Sequence, residues 1–251
     1  MCPTSSSDPG PGGGPERAGD LGRAAELAAN LAAVRARISK ACAVAGREPH
    51  EVTLIAVTKT YPSSDVRLLR ELGLADIGEN RDQEAAPKAA ACAGLDITWH
   101  FIGQLQTRKA GSVATYADVV HSVDRARLAR HLGTAARAAG RELTCLVQVS
   151  VDGDPSRGGV APQGVAEVAE AIEAEPGITL GGVMSIAPLE MPAFAAFEVL
   201  RDCSDVMRVI RPDADIISAG MSGDLEDAIA CGATHVRIGT ALLGVRKPPV
   251  L

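Results

Sequence analysis

Short apolar runs of strand length recur eight times along this 251-residue chain and alternate with helical patterns. The runs are Thr53 to Val57, Ala75 to Ile77, Trp99 to Ile102, Asp118 to Val123, Leu143 to Val149, Leu180 to Ile186, Asp215 to Ser218 and His235 to Ile238. Most of the intervening segments are long enough for the crossovers that join parallel strands. Eight such units predict an α/β protein with a (β/α)8 TIM barrel, whose usual length is about 250 residues. A doubly wound sheet is the alternative, because periodicity does not reveal strand order.

The chain begins with a segment of different character. Met1 to Asp20 is rich in Gly, Pro and Ser and shows no apolar periodicity. Because such a segment buries too little apolar surface to offset the conformational entropy that it would lose on ordering, we predict a disordered tail over residues 1–20. From Leu21 to Gly46, apolar residues recur at helical spacing and indicate an amphipathic opening helix. No Pro- or Gly-rich linker interrupts the later pattern, so we predict a single domain over residues 21–251.

Charge and composition disfavour several classes of function. The chain has 25 Lys and Arg against 31 Asp and Glu, and this acidic balance argues against a general binder of nucleic acid or anionic membranes. The cysteines form no C-x-x-C pair and the histidines no H-x-x-x-H or H-x-H pair, so we predict no metal site. No apolar run approaches the roughly 18 residues of a membrane span, and no signal peptide is evident. We therefore expect a soluble cytoplasmic protein.

Lys59 stands at the C-terminal end of the first apolar run, in a chain with few lysines. Active sites of (β/α)8 barrels lie at this end of the strands. A lysine there is a candidate for forming a Schiff base with an aldehyde. Its position alone is equally consistent with a cation that reaches solvent from the barrel rim.

Two loops near the C-terminus have residues suited to binding an anion. The first runs from Ser218 to Asp224 and contains two glycines and Ser222, and the second, Arg237 to Thr240, follows the last strand. Loops after strands seven and eight of such barrels frequently bind phosphate. Either loop alone is better explained by turn and capping chemistry, with Ser222 as an N-cap, but both point to the same place.

Two further polar clusters follow predicted strands. Asn80 comes after the second strand, and the segment from His100 to Lys109 begins in the third. Taken alone, Asn80 is equally explained as a turn residue, and His100 is better explained as a hydrogen-bonded core histidine. Alternation along the third strand predicts that His100 and Ile102 share one face, opposite Trp99.

Six short motifs together resemble the YggS/PROSC family of pyridoxal 5'-phosphate (PLP) binding proteins, also called PLP homeostasis proteins. In chain order they are Ala56-Val-Thr-Lys-Thr, Gly78-Glu-Asn, Trp99-His-Phe-Ile-Gly-Gln-Leu-Gln, Gly182-Val-Met-Ser-Ile, Gly220-Met-Ser-Gly-Asp and Val236-Arg-Ile-Gly-Thr. A set that spans nearly the whole chain is far more specific than one Gly-rich loop. The resemblance implies a barrel like the N-terminal domain of alanine racemase, with PLP as the cofactor at the C-terminal ends of the strands.

The resemblance also implies how the two ends of PLP are held. Lys59 matches the lysine that holds the cofactor as a Schiff base. Ser222, Gly239 and Thr240 match positions that hold the phosphate. These roles are chemically consistent, because a phosphate needs backbone N–H groups and hydroxyls while the aldehyde needs an amine.

Five further residues match positions around the ring. Arg237 matches the arginine that faces the pyridine nitrogen. Because an arginine does not readily give up a proton, it should keep that nitrogen unprotonated and weaken the ring as an electron sink. Asn80 and Met221 match positions close to the ring, and Ser218 and Gly220 match positions that shape the pocket.

The chain departs from the family pattern after the fifth strand. The family commonly carries a Lys-x-Gly segment there, whereas this chain has Ser156-Arg-Gly-Gly, with Arg157 at the lysine position. Charge is retained, but an arginine does not react with aldehydes as a lysine does. A second, transient PLP site that uses this lysine is therefore in doubt.

Three functions follow from these residues. The resemblance implies a non-catalytic PLP carrier or buffer in intracellular PLP homeostasis, with PLP-dependent apoenzymes as candidate partners. The alternative is a PLP-dependent amino-acid racemase, which needs proton donors on both faces of the substrate. The chain stops at Leu251, soon after the last motif, and neither Tyr61 nor Tyr116 has an evident role as the second base. We therefore expect a non-enzymatic monomer. A Schiff-base aldolase that uses Lys59 without PLP is the weakest hypothesis.

Overall fold

Eight parallel strands close into a barrel in the computed structural model, which describes residues 15–154 and 158–244. Each strand pairs with the next, and the last pairs with the first. The strands are β1 Thr53–Val57, β2 Asp76–Glu79, β3 Thr98–Phe101, β4 Val119–Val123, β5 Leu143–Gln148, β6 Ile178–Met184, β7 Ile216–Ser218 and β8 His235–Ile238. The predicted (β/α)8 barrel is confirmed, and the pairing of β1 with β8 excludes an open, doubly wound sheet.

Helices surround the barrel, as the alternation of the sequence requires. One helix precedes β1, one follows β8, and the others lie in the connections between strands. They are α1 Pro15–Ala45, α2 Ser63–Glu71, α3 Asp82–Ala91, α4 Ala110–Val113, α5 Ala126–Ala138, α6 Val165–Glu173, α7 Ala193–Ile210, α8 Leu225–Ala230 and α9 Thr240–Leu243. Among the described residues, no helix is both long and apolar enough to cross a lipid bilayer.

The opening helix differs from the prediction at its start. Helix α1 begins at Pro15 rather than at Leu21, so it extends into the segment predicted to be a tail. Proline is favoured in the first turn of a helix because its missing N–H would have no partner there, and the Glu, Arg and Ala that follow are good helix formers. Residues 1–14 of the predicted tail, and the Arg157 position, lie outside the described residues.

The strands separate an apolar layer from a barrel interior that contains polar side chains. Trp99 and Phe101 on β3 belong to the buried hydrophobic cluster that lies between strands and helices. His100, between them, is buried on the opposite face and contacts His121 of β4 inside the barrel. The alternation predicted for the third strand is confirmed, and it places polar side chains beneath the carboxyl ends of the strands.

Candidate functional site

A cavity of about 550 Å³ opens at the carboxyl ends of the strands. Residues from loops around the rim line it, as expected for the functional end of such a barrel. Most of the predicted site residues are brought together there, namely Lys59, Asn80, Met221, Ser222, Arg237, Gly239 and Thr240.

Two of the predicted site residues, Ser218 and Gly220, are not among the residues that line the cavity. Ser218 is fully buried and accepts a hydrogen bond from Arg237 Nη1 at 2.7 Å. Gly220 has a φ of 87°, and a Cβ atom there would lie 2.7 Å from the Cβ of Ala228. Ser218 therefore contacts the cavity lining through Arg237, and Gly220 allows its loop to lie close to helix α8.

Lys59 is exposed and lines the cavity directly after β1. The turn that follows it is unusual, because Thr60 has a φ of 68°. A β-branched residue is rare in this region, and such strain persists only where surrounding contacts fix it. Here the Thr60 N–H donates to Glu84 Oε2 at 3.0 Å, and the Tyr61 N–H donates to the Thr58 carbonyl at 3.0 Å. These contacts hold the backbone around Lys59.

A buried ion pair supports the same backbone from below. Lys88 on α3 pairs with Glu79 at the end of β2, and both side chains are almost fully buried. Lys88 Nζ also donates to the Thr58 carbonyl at 2.8 Å, and Thr58 Oγ1 donates to Glu79 Oε1 at 2.5 Å. Burial raises the pKa of Glu79, although Lys88 and Thr58 oppose this shift. Sequence reasoning missed this pair, although Glu79 is part of the Gly78-Glu-Asn motif.

Arg237 contributes a buried positive charge to the cavity. It is 4% exposed and donates to Ser218 Oγ at 2.7 Å and to the Ser185 carbonyl at 2.8 Å. Within the described residues it has no ion pair with a carboxylate, and burial lowers the pKa of Arg237 to about 10. Such a guanidinium is suited to a ligand group that accepts hydrogen bonds.

Ser222 joins the two predicted anion-binding loops. Its Oγ accepts a hydrogen bond at 3.2 Å from the N–H of Ala241, which lies in α9, directly after the β8 loop. Helix α8 instead has Asp224 at its N-cap position, and Asp224 Oδ1 accepts from the Met221 N–H at 2.5 Å. Ser222 is therefore not the N-cap that turn and capping chemistry alone suggested.

Helix α1 holds the same two loops from outside the barrel. Arg37 donates to the Ser222 carbonyl at 3.0 Å and makes a bidentate pair with Glu226, with both contacts at 2.8 Å. Asn30 Nδ2 donates to the Leu242 carbonyl at 3.0 Å. The helical pattern of the sequence indicated a polar face on α1 but not its partners.

Replacing Arg37 with alanine is expected to loosen the loop that contains Ser222. The pair with Glu226 is half exposed, so we expect a loss of roughly 1 kcal/mol, confined to this loop. That corresponds to amide hydrogen exchange about fivefold faster over residues 222–226, measured by mass spectrometry. Arg35→Ala is the matched control, because Arg35 is an exposed arginine of the same helix. Equal exchange rates in the two variants would show that Arg37 does not stabilise this loop.

Gly103 is required where the β3 loop passes the β2 loop. A Cβ atom at Gly103 would lie 2.1 Å from the Asn80 carbonyl oxygen and 2.8 Å from its Cα. We expect Gly103→Ala to displace Asn80 and to lower the free energy of unfolding by about 1–3 kcal/mol, measured by urea denaturation. Gly111→Ala is the control, because nothing lies within 4 Å of a Cβ atom there. Equal stability of the two variants would show that the close approach is relieved without cost.

The barrel and its cavity define a class of protein: a (β/α)8 barrel that presents a lysine, a buried arginine and the two loops predicted to bind an anion at one end. Residues 29–247 match the family model described as the N-terminal domain of alanine racemase. The pyridoxal phosphate homeostasis protein of Mycobacterium tuberculosis is 42% identical over 244 residues, covering 90% of this chain and 95% of the relative. The same-named protein of Escherichia coli is 38% identical, covering 88% and 97%. The chain belongs to the family of pyridoxal phosphate homeostasis proteins.

Solved structures agree with this assignment. PipY of Synechococcus elongatus, solved with PLP bound, has a TM-score of 0.76 and 33% identity, covering 87% of this chain and all of that one. Alanine racemase of Clostridium difficile has a TM-score of 0.70 at 16% identity, and 58% of its chain is covered. The racemase likeness therefore concerns the fold. The resemblance that the six motifs indicated is confirmed.

Proposed function

We propose that this chain binds PLP without catalysing a reaction on it and serves intracellular PLP homeostasis as a carrier or buffer. The observation that carries the proposal is the cavity, in which Lys59, Arg237 and the loops at Ser222 and Thr240 meet. PLP offers an aldehyde, a pyridine nitrogen and a phosphate, and these three groups match an amine, a buried guanidinium and a set of hydroxyl and backbone donors. The names of the relatives and the PLP-bound PipY structure support the same ligand.

Each residue would act through its own chemistry. When bound, PLP supplies an aldehyde that reacts reversibly with amines. Lys59 is the amine that we assign to that aldehyde, through a covalent bond at Nζ. Arg237 would face the ring nitrogen, where a guanidinium can only donate, and Ser222 and Thr240 would bind the phosphate. Asn80 would lie beside the ring.

A racemase would need a second proton donor in the cavity. No histidine or carboxylate lies among the described residues that line it. Tyr61 lines it, but its hydroxyl donates to the Gly244 carbonyl at 2.7 Å. Tyr116 is buried outside this lining, and burial raises the pKa of its hydroxyl far above the usual range. These arrangements favour the non-catalytic function.

The functions are separated by loading the purified chain with PLP and following two activities. We expect a visible absorption band on loading, no racemisation of alanine above that of free PLP, and release of the cofactor to a PLP-dependent apoenzyme. Amino-acid racemisation with steady turnover would contradict the carrier function. A chain that stays colourless and takes up no PLP would contradict both PLP functions and favour the aldolase.

The same preparation tests the oligomeric state of the protein. We propose a cytoplasmic monomer that passes PLP to apoenzymes. Light scattering of the loaded chain is expected to give the mass of a single chain, 25.8 kDa. A dimer mass at micromolar concentration would contradict the proposed monomer and leave the assigned ligand unchanged.

A further inference from the structure

A continuous line of four hydrogen bonds crosses the barrel interior from Arg237 to Asp76. The distances are 2.7 Å from Arg237 Nη1 to Ser218 Oγ, 2.9 Å from Ser218 Oγ to His121 Nδ1, 2.9 Å from His121 Nε2 to His100 Nδ1, and 3.0 Å from His100 Nε2 to Asp76 Oδ1. The members come from five different strands. The four members from Arg237 to His100 are buried, whereas the Asp76 side chain is 29% exposed.

The two ends of this line differ in what they can do. Arg237 can only donate, and an ionised Asp76 can only accept. Asp76 lies at the start of β2 and lines a second cavity, of about 440 Å³, that also contains Thr53 from the start of β1. The line therefore joins the ligand cavity at one end of the barrel to a solvent-accessible carboxylate at the other.

We propose that this line is a polarised relay that positions Arg237, in which His121 and His100 are both neutral and carry their proton on Nε2. Ser218 accepts from Arg237, so its single hydroxyl hydrogen is donated to His121 Nδ1. His121 Nε2–H then donates to His100 Nδ1, and His100 Nε2–H donates to Asp76. Each of the four hydrogen bonds then has one donor and one acceptor, and Asp76 becomes the negative end of a line that starts at Arg237, which has no ion pair within the described residues.

The reverse polarity leaves groups unsatisfied. If His121 carried its proton on Nδ1, Ser218 Oγ would accept hydrogen bonds from both His121 and Arg237, and its own hydrogen would have no acceptor among the described residues. A neutral His100 protonated on Nδ1 would turn a lone pair toward the Asp76 carboxylate. Because an unsatisfied buried polar group is costly, the direction from Arg237 to Asp76 is favoured.

The surroundings of His121 and of its neighbour His235 favour neutral rings. Burial holds the pKa of His121 well below its usual range, and His100 and Arg237 lower it further. His235 on β8 lies with its ring centre 6.2 Å from that of His100, and burial lowers its pKa to about 4. His235 Nδ1 bonds Thr234 Oγ1 at 2.9 Å, so it stands beside the relay rather than in it. A positive charge on either of these rings, next to Arg237, would be unfavourable in this interior.

Nuclear magnetic resonance of the chain with 15N-labelled histidine tests the relay without any ligand. Long-range 15N–1H correlations at neutral pH are expected to show His100 and His121 as neutral rings protonated on Nε2. Ser218→Ala should shift His121, and Asp76→Ala should shift His100, toward a mixture of tautomers. Ser122→Ala is the matched control, because its hydroxyl is buried on β4 beside His121 and has no hydrogen-bond partner within the described residues.

Other outcomes would overturn the relay. Observation of His100 as an imidazolium, of Nδ1-protonated rings in the unmodified chain, or of unchanged tautomers in both variants would each contradict it. Asp76→Ala keeps the test available if Ser218→Ala does not fold, because Asp76 is partly exposed.

The effect of the relay on the ligand rests on the proposed function. We expect Ser218→Ala to weaken PLP binding about fivefold in a spectroscopic titration, and Ser122→Ala to leave it unchanged. Unchanged affinity in Ser218→Ala would show that the relay does not position Arg237. If the chain shows the predicted tautomers but binds no PLP, the proposed function is contradicted and the relay is not.

Discussion

Replacing Lys59 with alanine is expected to abolish covalent retention of PLP. Lys59 is the only lysine among the described residues that line the cavity. Lys88 cannot substitute for it, because its amine is buried between Glu79 and the Thr58 carbonyl. After loading with PLP, borohydride reduction and desalting, Lys59→Ala should carry no more cofactor absorbance than the same variant mixed with PLP and desalted without reduction.

Lys109→Ala is the control for this loss. Lys109 pairs with Asp82 at 3.0 Å and does not line the Lys59 cavity. It should therefore retain as much cofactor as the unmodified chain. Undiminished retention in Lys59→Ala would contradict the role assigned to Lys59, whereas an equal loss in both variants would show that the readout is not specific to the cavity.

Replacing Lys88 with methionine is expected to lower the free energy of unfolding by about 3–5 kcal/mol. Methionine keeps an unbranched side chain but leaves the buried Glu79 carboxylate without its cation, and an uncompensated buried charge is costly. The Thr58 carbonyl also loses a donor. Urea denaturation measures the loss.

A double replacement separates the charge from the packing. Adding Glu79→Gln to Lys88→Met removes both charges while Thr58 Oγ1 can still donate to the remaining carbonyl oxygen. Pairs removed together often cost little, so most of the lost stability should return. Equal stability of the single and double variants would show that the charge of Glu79 is not the cause.

The barrel could be predicted from the sequence because its signal is local. Eight apolar runs with long intervals fix the number of strands, and a lysine at the end of the first run or a glycine-rich loop after the seventh then has a defined place. The start of α1 could not be predicted, because the compositional signal of the Gly- and Pro-rich segment outweighed a few good helix formers after Pro15.

The supporting contacts of the site could not be predicted because they join distant parts of the chain. Arg37 and Ser222 are 185 positions apart, and His121 and Ser218 are 97 apart. No periodicity records such pairs. The buried role of Ser218 and the link from Ser222 to Ala241 emerge only when the strands close into a barrel. The roles of these residues toward PLP stay predictions.

The most direct test of the proposed function is to map the lysine that carries the cofactor. The unmodified chain is loaded with PLP, reduced with borohydride, digested and analysed by mass spectrometry. We predict one pyridoxyl phosphate group per chain, on the peptide that contains Lys59. A label on another lysine, or no label after loading, would contradict the assignment of this cavity as the PLP site.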